Sequence, residues 1–307
     1  MAAPFPFELL GPPDPLTLPL PAAERPAEGV RLLRGVPYHI PAGQRPLELD
    51  VWLPAEAAGP LPVVVYVHGG AWRGGHRSDM GPLVRDLEPF ARLARAGFAV
   101  VCPDYRLSGE EVFPAQLDDL ARLTPWLAAR SAELGTDPAR TVLWGASAGG
   151  HLAALAALGA TGAFGDPAPE VLGCVVWYGP ADLTALADDF PPGRFDPADP
   201  ATFEALLLGA APADVPALAR AASPALRVTG GAPPFLVLHG ADDSLVPVEQ
   251  GRRLAAALRA QGVPVDFREI PGADHLWVGL TAEATADCFD ASLAFVRSVT
   301  SGAAPTA

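Results

Sequence analysis

Residues 141–158, TVLWGASAGGHLAALAAL, run from a short apolar stretch through a Gly-x-Ser-x-Gly pentapeptide into a stretch rich in alanine and leucine. The first four residues are typical of a buried strand, and the apolar residues after Ser147 have helical spacing. A Gly-x-Ser-x-Gly sequence between a strand and a helix is the context of a nucleophile elbow, a tight turn that exposes the serine hydroxyl. Gly145 and Gly149 leave the room that such a turn needs. The stretch predicts an α/β fold with Ser147 at the carboxyl edge of the sheet; an ordinary tight turn is the alternative.

Strand-like and helix-like segments alternate on both sides of this stretch. Apolar runs that indicate strands lie at residues 47–54, 62–67, 98–102, 171–177, 235–238 and 265–270. Helical spacing of apolar residues occurs at 83–96, 115–134, 148–158, 248–261 and 282–299, with a kink expected at Pro125. This alternation predicts one doubly wound α/β domain, in which a mostly parallel sheet carries helices on both faces.

Three segments depart from the alternation. Residues 1–28 are rich in proline and predict an arm with little regular structure. Residues 182–231 lie between two core strands without a strand-like run, and they predict a small helical, lid-like insertion over one end of the sheet. Residues 301–307 predict a flexible tail. We therefore expect one domain over residues 29–300.

The charge balance excludes several kinds of chemistry. The chain has 307 residues and 21 Lys plus Arg against 35 Asp plus Glu, a formal net charge of −14, and every basic residue is arginine. Without lysine, Schiff-base chemistry, a phosphate-loop lysine and a Ser–Lys dyad are excluded. The acidic excess argues against nucleic acid and anionic membrane surfaces as partners. No apolar stretch reaches the roughly 18 residues of a membrane span.

The cysteines and the first residues bear on the compartment. Cys102, Cys174 and Cys288 are widely spaced and odd in number, which argues against a disulfide framework. The first 24 residues lack the pattern of a secretion signal. We expect buried free thiols and a cytoplasmic protein. No HExxH or paired-histidine spacing is present, so we expect no metal site.

A serine nucleophile needs a base to take its proton, and the base needs an acid to orient it. The chain order serine, acid, histidine leaves His239 and His275 as bases. His275 follows the last predicted strand in a loop, whereas His239 ends a buried strand. We expect His275 to be the base and His239 to make a structural hydrogen bond. Asp242 and Asp243 both follow the penultimate strand, and spacing does not separate the acid from a helix cap.

Acyl transfer also needs backbone N–H groups aimed at the oxyanion. HGGAW, residues 68–72, directly follows a buried strand at the edge where the elbow is expected. Its glycines allow the backbone to turn its N–H groups inward. We expect the donors to be the N–H groups of Gly70, Ala71 and Ala148; the alternative is that HGG forms only an exit turn.

Seven motifs in order make the chain similar to one known superfamily. They are HGGAW (68–72), DYRL (104–107), FPAQLDD (113–119), GASAGGH (145–151), WYGPADL (177–183), HGADDSLVP (239–247) and GADH (272–275). Over residues 47–299 the chain resembles the esterase/lipase branch of the α/β-hydrolase superfamily, which includes hormone-sensitive-lipase-like and BD-FAE-like carboxylesterases. The resemblance implies an eight-stranded sheet and a serine hydrolase without a cofactor. It also implies that Asp243 is the acid, four residues after the histidine of HG, and that Asp104 and the FPAQLDD stretch are structural.

The substrate is less narrowly indicated. HGGAW is closer to the HGGxW motif of kynurenine formamidases than to HGGG, and one triad serves any acyl transfer. We expect a serine carboxylesterase for small to medium acyl or aromatic esters, with an acyl-enzyme intermediate. An arylformamidase or other amide hydrolase is the alternative, followed by a catalytically silent ligand-binding homologue. The expected partner is a small-molecule ester, and a homodimer is left open. An apolar pocket is expected from five loop aromatics: Trp72, Tyr178, Trp277, Phe190 and Phe195.

Overall fold

The computed structural model describes residues 11–159 and 171–301, and within them eight strands form one sheet. The strands are β1 (Val30–His39), β2 (Leu47–Pro54), β3 (Leu61–Val67), β4 (Ala99–Pro103), β5 (Thr136–Ala146), β6 (Val171–Trp177), β7 (Phe235–Gly240) and β8 (Val265–Ile270). Their order is β1-β2-β4-β3-β5-β6-β7-β8. The pairs β1–β2 and β2–β4 are antiparallel, and all the others are parallel. The predicted mostly parallel, eight-stranded sheet is confirmed.

Helices cover both faces of the sheet, which is why the inner strands are apolar on both sides. On one face lie α1 (Pro89–Arg95) and α9 (Ala282–Thr300), whose Leu93 and Phe289 belong to the same apolar cluster as Val64 of β3. On the other face lie α2 (Ala115–Ala121), α3 (Leu123–Leu134), α4 (Ala148–Ala157) and α8 (Val248–Ala260). There Leu152 and Leu254 belong to a second apolar cluster. Packing on both faces holds the sheet so that the carboxyl ends of β3, β5, β7 and β8 lie along the same edge of it.

Some elements differ from the expectation. Strand β1 was not foreseen, because Gly35 (φ 67°) and a register shift between Leu33 and Val36 interrupt its alternation. The segment 83–96 divides at Glu88, whose φ of 48° separates a 3₁₀ turn from α1. The segment 115–134 divides at Arg122 rather than at Pro125. Since α3 begins at Leu123, Pro125 falls in its first turn, where a missing N–H costs little.

Residues 182–231 contain only short helices: α5 (Leu186–Asp189), α6 (Phe203–Leu208), α7 (Pro216–Ala221) and a 3₁₀ turn at Pro224–Leu226. Of the predicted arm, residues 11–28 hold one isolated bridge, between Glu24 and Leu32. Residues 1–10 of the arm and 302–307 of the predicted tail lie outside the described residues. The three cysteines are free and buried. No helix in the described part of the chain has both the length and the apolarity needed to cross a membrane.

Candidate active site

Ser147 occupies the turn between β5 and α4 with φ 55° and ψ −124°. A non-glycine residue in this region is strained and persists only where its surroundings hold it. The flanking glycines leave no room for a side chain: a Cβ on Gly145 would overlap the carbonyl of Gly149, and a Cβ on Gly149 would overlap the carbonyl oxygens of Val67 and His68. Glycine at 145 therefore leaves room for the turn into α4, and glycine at 149 lets the elbow pack against the end of β3.

The structure brings the three predicted catalytic side chains together. Ser147 Oγ lies 3.0 Å from His275 Nε2, and His275 Nδ1 lies 2.8 Å from Asp243 Oδ2. Each residue is only 8% exposed. With a neutral imidazole, Nδ1–H donates to the carboxylate and Nε2 accepts from the serine hydroxyl. This is the arrangement in which a histidine takes a proton from a serine.

Asp243 is held as an anion. Its Oδ1 accepts the N–H groups of Leu245 at 3.0 Å and Val246 at 2.8 Å. Burial raises the pKa of the Asp243 carboxyl, but the nearby His239 ring and the hydrogen bond from His275 outweigh burial and hold that pKa well below its ordinary value. The neighbouring Asp242 is exposed. Burial and hydrogen bonding thus separate two aspartates that spacing left equivalent.

His239 does not contact the serine. Its Nε2–H donates to the carbonyl of Val246 at 2.8 Å and lies 3.5 Å from Asp243 Oδ2. The structural hydrogen bond expected of His239 is confirmed, and it tightens the turn that carries Asp243.

Asp274 is a site residue that sequence reasoning missed. Its Oδ1 accepts the N–H groups of Ser244 and His275, both at 2.7 Å, and its Oδ2 accepts the Ser244 hydroxyl at 3.1 Å. One carboxylate therefore joins the loop of Asp243 to the loop of His275. The available signal was an aspartate directly before a histidine in GADH, since Asp274 caps the 3₁₀ turn His275–Trp277.

The HGGAW loop packs on the elbow: a Cβ on Gly69 would lie 3.3 Å from the Cβ of Ser147. Gly70 has φ 116° and Ala71 has φ 54°. Across residues 11–159 and 171–301, no hydrogen bond uses the N–H groups of Gly70 or Ala71. Ala148 is the first residue of α4, so its N–H lies outside the helical ladder. Among the described residues, the N–H groups of all three predicted oxyanion donors are therefore unpaired.

The motif aspartates behind this loop are bound in ion pairs. Asp104 accepts Arg77 Nη1 at 2.5 Å, and Asp119, which is fully buried, pairs with Arg106 at 2.7 Å. These contacts give both aspartates structural partners, as the resemblance implied.

Of the five aromatics predicted to line a pocket, three are buried, and one, Phe190, lines a groove next to Asp243. Trp72, Tyr178 and Trp277 are 2%, 1% and 1% exposed, so their rings have almost no surface for a ligand. Tyr178 lies against the His275 ring at 4.7 Å between centroids, and Trp277 lies against Tyr178 at 4.7 Å. These three buried rings pack beneath the site and do not form an accessible surface of a pocket. Phe190 and Phe195 stack on each other within the insertion, with ring centroids 5.6 Å apart.

Backbone strain is concentrated at this edge of the sheet. Of the seven non-glycine residues with positive φ among the described residues, six lie in the loops around Ser147: Ala71, Trp72, Ser147, Tyr178, Leu276 and Trp277. Each such conformation costs about 1–3 kcal/mol and is typical of functional sites. The buried aromatic rings are the packing that holds these loops in place.

A groove of about 730 Å³ borders the acid side of the site. Its walls are residues 189–194 of the insertion and residues 241–252, and both Arg194 and Arg252 line it next to Asp243. The insertion therefore lies beside the loop that carries the acid. In the described part of the chain, no group of three or more His, Cys, Asp or Glu side chains could hold a metal ion.

A parallel sheet with a serine elbow after β5, an acid after β7 and a histidine after β8 defines an α/β-hydrolase. A solved carbohydrate esterase from gut microbiota, in a truncated form, has the same fold, with a TM-score of 0.76, 26% identity, and coverage of 90% of this chain and 99% of that one. The chain belongs to the BD-FAE family, whose family model matches residues 49–258.

Two relatives come from Mycobacterium tuberculosis. Esterase LipC is 33% identical over 86% of this chain, and esterase LipQ is 36% identical over 78%. The chain spans 66% of the length of LipC and 56% of the length of LipQ, so both relatives are longer than the region they share with it.

Proposed function

We propose that the protein is a serine carboxylesterase acting on small to medium acyl or aromatic esters. The observation that carries the proposal is the continuous hydrogen-bonded chain from Ser147 through His275 to Asp243. The names of the relatives support it, since LipC and LipQ are called esterases. The substrate is then a small-molecule ester. We also propose a cytoplasmic location, which the three free cysteines support.

In the proposed reaction, His275 Nε2 takes the hydroxyl proton as Ser147 Oγ attacks the ester carbonyl. Asp243 keeps the imidazole in the required tautomer and stabilises the imidazolium that forms. The N–H groups of Gly70, Ala71 and Ala148 bind the negative charge on the carbonyl oxygen. His275 returns the proton to the departing alcohol, and an activated water then releases the acid from Ser147 by the same steps.

The test compares wild type with Ser147→Ala on p-nitrophenyl acetate, butyrate and octanoate and on N-formylkynurenine. We expect ester turnover to fall by about 10³-fold or more in Ser147→Ala. Ser301→Ala, at an exposed serine after α9, is the matched control and is expected to match wild type. The relative rates on the three acyl lengths measure the size of the acyl site.

Two outcomes would replace the proposal. A strong preference for the formamide would identify an arylformamidase, the alternative that the HGGAW motif favours. Absence of Ser147-dependent turnover on every substrate would indicate a ligand-binding homologue.

A further inference from the structure

His151 is a fully buried histidine that the proposed reaction does not use. It lies on α4, four residues after Ser147, with none of its surface exposed. Its Nε2 is 2.6 Å from the carbonyl oxygen of Ala222, and its Nδ1 is 3.2 Å from Trp72 Nε1. Because a carbonyl only accepts, Nε2 carries the proton, and Nδ1 accepts the indole N–H. Both ring nitrogens are therefore paired in a single tautomer.

The ring is kept neutral in this position. Burial lowers the pKa of His151 to about 4, against a smaller opposing contribution from the hydrogen bond to Ala222. A second proton would place an N–H on Nδ1 against the indole N–H of Trp72. The neutral form is the one that can accept from Trp72.

Trp72 connects this histidine to the proposed oxyanion hole. It follows Ala71 directly, and the two residues have φ 56° and 54°, so two consecutive strained residues form the turn that presents the Ala71 N–H. The Trp72 indole meets His151 edge-on, with ring centroids 5.1 Å apart and planes at 81°. The backbone carbonyl of Trp72 accepts the N–H of Ser108 at 2.7 Å. The turn is thus anchored through the side chain and the backbone of one residue.

Ala222 lies at the end of the insertion formed by residues 182–231. The next residue, Ser223, accepts the N–H of Leu183 at 2.9 Å, and this bond joins the closing end of the insertion to its opening end. The position of the Ala222 carbonyl therefore depends on how the insertion is seated.

We propose that His151 is a positioning residue that fixes the oxyanion turn through Trp72 and takes its own orientation from the insertion through Ala222. One imidazole then couples the seating of the insertion to the placement of the Ala71 N–H. The inference rests on the proposed function, because the oxyanion turn matters only if Ser147 attacks a carbonyl.

The two ring nitrogens can be tested separately. In His151→Asn, the amide oxygen can take the place of Nδ1 and accept from Trp72. In His151→Gln, the amide nitrogen can take the place of Nε2 and donate to Ala222, while the acceptor for Trp72 is lost. Trp72→Phe removes the indole donor and keeps an aromatic ring. His76→Gln is the matched control, at an exposed histidine of the segment that follows HGGAW.

We expect kcat on the best p-nitrophenyl ester to fall by about 10- to 100-fold in His151→Gln and in Trp72→Phe, with KM within about twofold of wild type. His151→Asn is expected to keep kcat within about threefold of wild type. The double variant His151→Gln/Trp72→Phe is expected to lose no more than either single variant, because both remove the same hydrogen bond. The affinity for a trifluoromethyl ketone, which forms an oxyanion on the serine, is expected to fall in parallel with kcat.

Thermal unfolding of every variant separates a loss of folding from a loss of positioning. If His151→Gln does not fold, Trp72→Phe carries the test alone. Unchanged kcat and ketone affinity in the folded variants would overturn the inference. If wild type still shows Ser147-dependent turnover, the proposed function stands in that case. Additive losses in the double variant would also overturn it. A wild type without Ser147-dependent turnover would overturn both.

Discussion

At the residue scale, the space between backbone atoms determines which residues the site can contain. The elbow demands glycine at 145 and 149, because carbonyl oxygens occupy the positions where their Cβ atoms would lie. Ser147 has a side chain and still adopts φ 55°, a conformation that residues other than glycine rarely adopt. The strain is retained where the hydroxyl of the proposed nucleophile projects from the sheet. Asp274 shows a different effect, since its single carboxylate joins the loop of Asp243 to the loop of His275.

Replacing Asp274 by alanine tests this connection between the loops of Asp243 and His275. We expect Asp274→Ala to lower kcat by about tenfold or more, since the Ser244 and His275 N–H groups lose their shared acceptor and the two loops can separate. Ester hydrolysis at saturating substrate measures it. Asp242→Ala, at an exposed neighbour of Asp243, serves as the matched control. Equal activity of both variants would show that the loops hold their register without Asp274.

His151 makes stability depend on pH. A histidine in the unfolded chain has an ordinary pKa of about 6.5, whereas in the fold the pKa is about 4, so the unfolded state binds more protons between these values. The contribution of His151 to the free energy of unfolding is complete above about pH 6.5. It is lost as the pH falls through 4, and the free energy of unfolding decreases by about 3 kcal/mol.

We therefore expect the difference in unfolding free energy between wild type and His151→Asn to shrink by about this amount from pH 7 to pH 4. Urea unfolding at several pH values measures it, and His76→Gln, which replaces an exposed histidine, is the reference. A constant difference across the range would contradict the burial argument.

At the element scale, the insertion is seated by one buried side chain of α8. Gln250, with none of its surface exposed, accepts the N–H groups of Ala181 and Asp182 at 2.8 and 2.7 Å and donates to Asp189 at 2.6 Å. Arg253, one turn further along the helix, pairs with the same Asp189 at 2.6 Å. A helix on the main domain thus holds the start of the insertion.

We expect Gln250→Ala to loosen the insertion without unfolding the sheet, because it leaves buried N–H groups unpaired at a cost of about 2–4 kcal/mol. Amide hydrogen exchange is the measurement: protected amides in residues 182–231 should exchange about 30-fold faster or more. Gln261→Ala, at the exposed end of the same helix, should leave exchange unchanged. Equal acceleration in β5 and β6 would show that the insertion and the sheet unfold together.

The sequence predicted those elements whose signal is local. Strands β6 and β8 have the predicted limits, and the elbow follows from glycine spacing. Strand β1 is not predicted, because a bulge at Gly35 breaks the alternation of apolar and polar residues on which the prediction depends. A position in a loop does not determine burial: Trp72, Tyr178 and Trp277 pack beneath the site, whereas Phe190 lines the groove beside Asp243. The bond that joins Asp274 to the loop of Asp243 and the role of His151 could not be assigned, because the partners Ser244 and Trp72 lie 30 and 79 residues away in the chain.

At the scale of the whole molecule, the net charge of −14 produces a negative field at long range. We expect an anionic ester, such as one with a sulfonated phenyl leaving group, to have a kcat/KM that rises several-fold between about 0.01 and 0.3 M NaCl, because salt screens its repulsion. The neutral nitrophenyl ester of the same acid is the control and should change little. A kcat/KM that falls with salt would point to a local positive field, for which Arg194 and Arg252 in the groove are the available source.

Burial of the three cysteines is expected to protect their thiols from labelling reagents in the folded protein. Cys102 and Cys174 are 0% exposed and Cys288 is 4% exposed, and burial raises the pKa of all three thiols, that of Cys288 to about 11. A colorimetric disulfide reagent is expected to detect almost no thiol in the native protein and three after unfolding. Because the chain also lacks lysine, a single cysteine introduced in the insertion would be the one reactive side chain for a probe, with no native residue to remove first. Fast labelling of the native wild-type protein would show that one of these thiols is accessible.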